Sequence, residues 1–250
     1  MTPNLQFRLA ARQPNGRRPQ VMSHRWESLL FLHWVLPPEA IQRTLPPGLM
    51  VDKFDGKAYL GIIPFFMRRV RLRGLPAIPG VSDFLELNVR TYVYDRSGVP
   101  GVWFYSLSCN QPVAVAGARL LTGLPYVNAE MTGRSGNVID YSCRRTDTDE
   151  VARFSYRGAG VAAEAAVSSL EFFLLERYYL YAIRFGSLVR AQVAHAPYRY
   201  SGAQVEEWSS IPAQLDGFPG IIQDPIHVCH VSRLDVKVFA TEKLSRSAEP

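Results

Sequence analysis

The spacing of apolar and polar residues along the chain favours short strands over long helices. Ser28–Val35 is an almost continuous apolar run, and Met50–Phe54 and Lys57–Arg71 flank Asp55-Gly56, a strong tight-hairpin signal. Phe84–Tyr94 and Gly101–Cys109 predict a second hairpin around Asp95–Pro100, and Val138–Arg145 with Glu150–Arg157 a third. Tyr181–Arg184 and Leu188–His195 turn at Gly186, and Ile226–Phe239 forms a long closing strand. Helical signals are few. One helix runs from about Pro38 to Leu45, and another from about Ser169 to Tyr179 with Ser168 and Glu171 as a capping box. Many strands and few helices predict a mainly β (α+β) chain, built as a strongly curved antiparallel sheet, a β-barrel.

The segment 110–129, NQPVAVAGARLLTGLPYVNA, carries the third helix. Asn110 is placed to cap it, Pro112 fits its first turn, Gly123 suits a left-handed end and Pro125 stops it. Tyr126–Met131 then alternates polar and apolar residues, so a strand begins at Tyr126 directly after a sharp helix stop.

Size and charge narrow the picture. A chain of 250 residues, 47% hydrophobic, can bury a full core as one domain. It has no apolar run of the ~20 residues needed to span a membrane as a helix, and its N-terminus lacks an apolar signal-peptide core. Three cysteines with no CxxC pair fit a reduced, cytoplasmic protein. The net charge of +6 is concentrated at the start, where Arg8, Arg12, Arg17, Arg18 and Arg25 meet no acidic residue before Glu27. Without these five, 23 basic residues face 22 acidic ones. Nucleic acid is therefore not an expected partner, nor is a membrane. The expected organisation is a flexible basic tail over residues 1–25, a single domain over 26–240 and a C-terminal tail over 241–250.

The helix-and-turn segment resembles the corresponding segment of the acetoacetate decarboxylase superfamily, which reads roughly N-E/D-x-A-x-A-x-G-R-E-x-x-G-F-P-K-K. Ala40–Asp52 resembles that superfamily's early A-L-x-x-x-x-P-x-x-L stretch. Across most of the chain the wording is closer to an uncharacterised family of the YqjF type, through LLFLHW at 29–34, ELNVRTYV at 86–93 and SLEFFLLERY at 169–178. The resemblance implies an acetoacetate decarboxylase-like fold and a pocket. In the decarboxylases the first lysine after the proline forms a Schiff base with the substrate ketone. Tyr126 stands in its place here and Val127 replaces the second lysine. Of the four lysines, Lys53 and Lys57 flank a hairpin tip and Lys243 lies near the C-terminus, which leaves only Lys237 as a weak alternative nucleophile.

Candidate chemistry gathers on Phe84–Thr91, whose alternation puts Glu86, Asn88 and Arg90 on one strand face. Phe84-Leu85-Glu86 resembles the Tyr-x-Glu segment that supplies an acid/base carboxylate in the decarboxylases. Arg90 suits a carboxylate or enolate as a bidentate anchor. Glu86 is the candidate proton carrier, Asn88 a carbonyl donor and Tyr126 an oxyanion donor. The competing reading is a solvated strand face with a Glu86–Arg90 ion pair. Asn128, Glu171 and His195 complete the candidate ligand-binding set, although Glu171, Glu176 and Arg177 on an apolar helix also suit structural pairing.

His227, Cys229 and His230 lack a second ligand pair, so no metal is expected, and no cofactor motif is present. Two functions remain. One is an enzyme acting on a small carbonyl or carboxylate compound by acid–base chemistry without an imine, of lyase, hydratase/dehydratase, cyclase or isomerase type. The other is a non-catalytic binder of a small, partly apolar organic acid. Homo-oligomer formation stays open.

Overall fold

Three strands of this protein are buried on both faces over much of their length and therefore need two interiors. In the computed structural model, which describes residues 2–244, these are β1 (Gln20–Leu36), β3 (Ala58–Leu72) and β4 (Phe84–Asp95). Strand alternation sends Leu30, Leu32, Ile62, Leu85, Leu87 and Val89 into one cluster with Tyr141, Phe154 and Tyr156. The intervening Leu29, Phe31, Ile63 and Phe65 enter a second cluster on the opposite face, with Val193, Tyr198 and Cys229.

The remaining elements follow in chain order: α1 (Leu5–Ala10) before β1, then α2 (Pro38–Gln42) and β2 (Leu49–Val51). After β4 come β5 (Pro100–Cys109), α3 (Pro112–Thr122), β6 (Tyr126–Arg134), β7 (Ile139–Arg145), β8 (Ala152–Glu164) and α4 (Leu170–Leu175). The chain continues through β9 (Tyr179–Arg184), β10 (Ser187–Ala194), β11 (Arg199–Glu207), α5 (Ile211–Leu215), β12 (His227–Phe239) and β13 (Glu242–Lys243). The strands form one large sheet in the order β13-β10-β9-β5-β6-β7-β8-β11-β12-β1-β3-β4-β2, with further pairings of β10 to β12 and β5 to β4. The chain is thus mainly β with a few short helices. The sheet is mixed, which corrects the wholly antiparallel expectation: β5 runs parallel to both β6 and β9. For β6 the reason is α3, a crossover helix that returns the chain to the same end of the sheet before β6 starts. No helix among the described residues is long and apolar enough to cross a membrane.

Turn chemistry follows the sequence closely. Asp55 and Gly56 both adopt positive φ, at 50° and 75°, between the bridged Phe54 and Lys57, as a primed tight turn requires. Gly123 ends α3 at φ 76°. A side chain there would meet the Ile183 carbonyl oxygen at 2.4 Å, so glycine is required by both conformation and space. Two caps differ from expectation. Gln111 is the N-cap of α3, while the Asn110 side chain accepts from Leu85 N–H and ties the helix start to β4. Ser169 caps α4 by accepting from Phe172 N–H, and α4 ends at Leu175.

The N-terminal segment differs most from its expected form as a flexible tail. Asn4 caps α1, and β1 already begins at Gln20. Arg8 pairs with Asp52 at 2.8 Å and Arg12 with Glu176 at 3.3 Å, both carboxylates being buried. Asn15 is bonded to Gln192 and Tyr179. These arginines lack acidic neighbours in sequence because their partners come from distant elements. At the other end, Glu242–Lys243 of the expected C-terminal tail pair with β10, and residues 245–250 lie outside the described residues.

Asp52 also pairs with Arg177 at 2.6 Å, so one buried carboxylate serves two arginines. Removing one member of a buried ion pair leaves the other charge uncompensated. Asp52→Ala is therefore expected to destabilise the protein by about 3–5 kcal/mol in urea unfolding.

Candidate functional site

Residues Glu86–Thr91 of β4 are held by ladders on both sides, with Glu86 opposite Phe65 of β3 and Cys109 of β5. Its polar face turns into a partly open cavity of about 320 Å³. Glu86, Asn88 and Arg90 line this cavity, each at most 6% exposed. Tyr126 reaches it from the start of β6, where Leu107 of β5 lies opposite and Arg119 of α3 donates to the Tyr126 carbonyl oxygen at 2.6 Å. The rest of the wall is largely apolar, including Phe31, Ile63, Phe65, Phe104, Leu107 and Leu180. No lysine is among the lining residues, and Lys237 points to solvent from β12.

Tyr126 donates its hydroxyl to Glu86 Oε2 at 2.9 Å. Burial pushes the Glu86 carboxyl up to about 7, and hydrogen bonds from Tyr126 and Asn88 only partly oppose this. The Glu86–Arg90 ion pair expected as an alternative from the spacing does not form, so no counter-charge holds the carboxyl down. Burial and the facing carboxylate push the Tyr126 phenol well above its ordinary range. Cys109, beside Glu86, is pushed up to about 12, again mainly by burial. His24 lines the wall, and burial takes it down to about 4, so it is neutral near pH 7.

Arg90 lies over the rings of Phe31 and Tyr92, at 5.3 and 5.6 Å, and donates to the Leu174 carbonyl oxygen at 3.3 Å. Among the described residues no carboxylate lies within ion-pair distance of it. Arg177 also lines the cavity and stacks on Tyr92, at 5.0 Å, but it is neutralised by Asp52. Burial lowers Arg177 to about 10 against the opposing pull of Asp52. Arg8 and Arg177 share Asp52, whereas Arg90 brings to the cavity wall a positive charge with no carboxylate in ion-pair distance among the described residues, which suits an anion.

The other candidates lie outside the cavity wall. Asn128 shares a strand face with Tyr126, yet the cavity ends before reaching it, and its carbonyl oxygen accepts from Thr146. Alternation fixes a side chain's face but not how far along the strand a cavity extends. His195 lies just beyond the end of β10, stacked on Tyr178 at 4.4 Å, whereas Ala191 and Val193 of β10 line the wall. Glu171 lies near His227, whose basicity burial lowers and Glu171 partly restores. Glu176 is taken by Arg12, by the Tyr178 hydroxyl and by the Tyr198 backbone N–H. His227 instead bonds His33, which in turn bonds Tyr92 beneath Arg90. Among the described residues no cluster of three or more His, Cys, Asp or Glu is placed to hold a metal ion.

Sequence reasoning did not single out Tyr198 or Trp26, and it treated Arg177 as structural; all three line the cavity. Trp26 falls between the segment read as tail and the strand expected from Ser28. Tyr198 falls in an irregular stretch after β10, where periodicity carries no signal.

Comparisons with known proteins bear on the fold. The family model DUF2071, described as "Uncharacterized conserved protein", matches residues 23–234. The chain is 36% identical over 227 residues to Uncharacterized protein YqjF of Bacillus subtilis (strain 168), covering 90% of this chain and 93% of that protein. Its fold is similar to an acetoacetate decarboxylase-like enzyme from Sphingomonas wittichii RW1, with a TM-score of 0.64 at 14% identity over 91% of this chain and 94% of that one. It is also similar to the enduracididine biosynthesis enzyme MppR complexed with pyruvate, with a TM-score of 0.62 at 15% identity over 92% and 93% of the two chains. At these identities the structural likeness carries the fold, which has acetoacetate decarboxylase-like neighbours.

The raised Glu86 carboxyl yields a stability prediction. Its folded value of about 7 exceeds the ordinary 4.5, so the neutral form is favoured by folding. The stability it contributes is complete below pH 4.5 and is lost as pH rises to about 7. Between those limits the wild type should lose roughly 3 kcal/mol relative to Glu86→Gln, measured as paired urea unfolding curves across pH.

Proposed function

Because the chain belongs to the DUF2071 family of uncharacterized conserved proteins, whose fold is acetoacetate decarboxylase-like, we propose that it is an enzyme acting on a small carbonyl or carboxylate compound by acid–base chemistry without an imine. The observation that carries this reading is the pairing of Glu86 and Tyr126 in one cavity with an arginine that has no carboxylate partner among the described residues. A carboxyl that titrates near 7 is half ionised at neutral pH and can both take and return a proton. Arg90 supplies the anion anchor, and its fork geometry matches a carboxylate. The absence of lysine from the lining residues supports chemistry that does not pass through a Schiff base.

Lyase, hydratase/dehydratase, cyclase and isomerase reactions of such compounds can share a first step, proton transfer at the carbon next to a carbonyl. The ligand's carboxylate rests at Arg90, its body against the apolar wall, and the reacting C–H faces Glu86. The large apolar share of the wall also favours a second reading, in which the cavity stores a partly apolar acid without altering it.

A 2-oxo acid with an apolar substituent, such as 4-phenyl-2-oxobutanoate, separates the two readings. In D2O the enzyme reading expects exchange of the C3 protons, followed by NMR as loss of their signal. Glu86→Gln should slow this exchange by roughly 10²–10⁴-fold, and Arg90→Ala should mainly weaken binding. Binding without exchange would leave only the storage reading. Borohydride trapping should give no mass adduct on any lysine.

A further inference from the structure

The cavity contains two phenols with different commitments. The Tyr126 hydroxyl proton is already given to Glu86 Oε2 at 2.9 Å, so it is not free for a ligand. Tyr198 lines the same cavity at 2% exposure. Its backbone is fixed by the bond to Glu176 Oε1 at 2.9 Å, and its ring stands edge-on to Phe31, with centroids 5.8 Å apart. Arg90 lies over that same Phe31 ring at 5.3 Å, so phenol and guanidinium converge on one ring.

Among the described residues Tyr198 is bonded to the protein only through its backbone N–H, which leaves its hydroxyl available to a ligand in the cavity it lines. Burial pushes this hydroxyl above its ordinary range, with the Arg90 charge opposing, so it stays protonated and able to donate at neutral pH. A donor of this kind, next to a cation and in the wall of a cavity, suits an oxygen that gains negative charge during a reaction.

We propose that Tyr198, and not Tyr126, donates the hydrogen bond to the ligand's carbonyl oxygen beside Arg90, while Tyr126 serves Glu86 alone. The inference rests on the acid–base reading of Glu86 given above. It matches the order of groups in a 2-oxo acid: carboxylate at Arg90, adjacent carbonyl oxygen at Tyr198, and the next carbon toward Glu86. The ionised Glu86 takes a proton from that carbon. The C–H electron pair forms the enolate double bond, and the carbonyl π pair moves onto oxygen, where the Tyr198 O–H stabilises it without leaving tyrosine. Return of a proton, or of a deuteron in D2O, from Glu86 restores the ketone, and nothing is oxidised or reduced.

The test compares wild type, Tyr198→Phe, Tyr126→Phe and Glu86→Gln in the D2O exchange of 4-phenyl-2-oxobutanoate. Tyr198→Phe should slow exchange roughly 10²-fold while leaving the pH midpoint where it is in the wild type. Tyr126→Phe should move that midpoint upward, because a bond that favours ionised Glu86 is lost. Tyr198→Phe keeps the backbone N–H that bonds this residue to the protein, so the variant should fold and should bind 4-phenylbutanoate, which lacks the carbonyl, as tightly as wild type. Wild-type exchange rates in Tyr198→Phe, with Glu86→Gln inactive, would overturn this inference and leave the acid–base reading standing. An equal rate loss in both tyrosine variants with no midpoint shift would overturn the division of roles. Full activity in Glu86→Gln, or no exchange by the wild type, would overturn the acid–base reading and this inference with it.

Discussion

Strand β4 is buried on both faces, and the rest of the molecule is arranged around that constraint. On one side Leu85, Leu87 and Val89 fill a continuous apolar core. On the other side the same strand carries Glu86, Asn88 and Arg90, which a packed core cannot accept without partners. The cavity resolves this conflict. It gives polar side chains a space outside the packed core, and the ladders with β3 and β5 fix their positions to the backbone. The same arrangement that raises the Glu86 carboxyl also leaves Arg90 with an uncompensated charge. Both effects come from burial on a rigid strand rather than from a mobile loop.

The buried arginines explain why the N-terminal segment is part of the structure. Arg177 stacks on Phe173 at 4.2 Å and is neutralised by Asp52, and Arg8 from α1 completes that group from the other side. Arg12 likewise reaches Glu176, whose other oxygen holds the Tyr198 backbone. Residues expected to form a flexible tail therefore sit one step behind the cavity wall. Through Glu176 the N-terminal segment bears on Tyr198, and through Asp52 it bears on Arg177.

Local rules made much of this legible. The Asp55-Gly56 turn, the Gly123 helix stop and the alternation along Phe84–Thr91 depend on nearest neighbours only, and the structure follows them. The co-location of Glu86, Asn88, Arg90 and Tyr126 combines that alternation with the crossover through α3. What could not be read depends on distant pairing. The acidic partners of Arg8 and Arg12, the parallel ladders of β5 and the position of Tyr198 have no local signature. Asn128 lies on the expected strand and His195 just past the end of its own, but the cavity does not extend to them. The Glu86–Arg90 pair was plausible by spacing, yet Arg90 turns to Tyr92 and Leu174 instead.

The tyrosine at position 126 has a further electrostatic consequence. By the resemblance to the decarboxylases, a lysine would occupy this place, and its ammonium would stabilise the ionised form of a neighbouring carboxylate. A tyrosine offers Glu86 only a neutral hydrogen bond, so the desolvation of a fully buried carboxyl dominates and the group titrates near 7. Tyr126 thus leaves this place without a lysine and leaves Glu86 with a carboxyl raised by burial. The positive charge the lysine would bring is not lost from the cavity. It sits on Arg90, two residues beyond Asn88 on the same strand face, where it can hold an anion while leaving Glu86 free to exchange its proton.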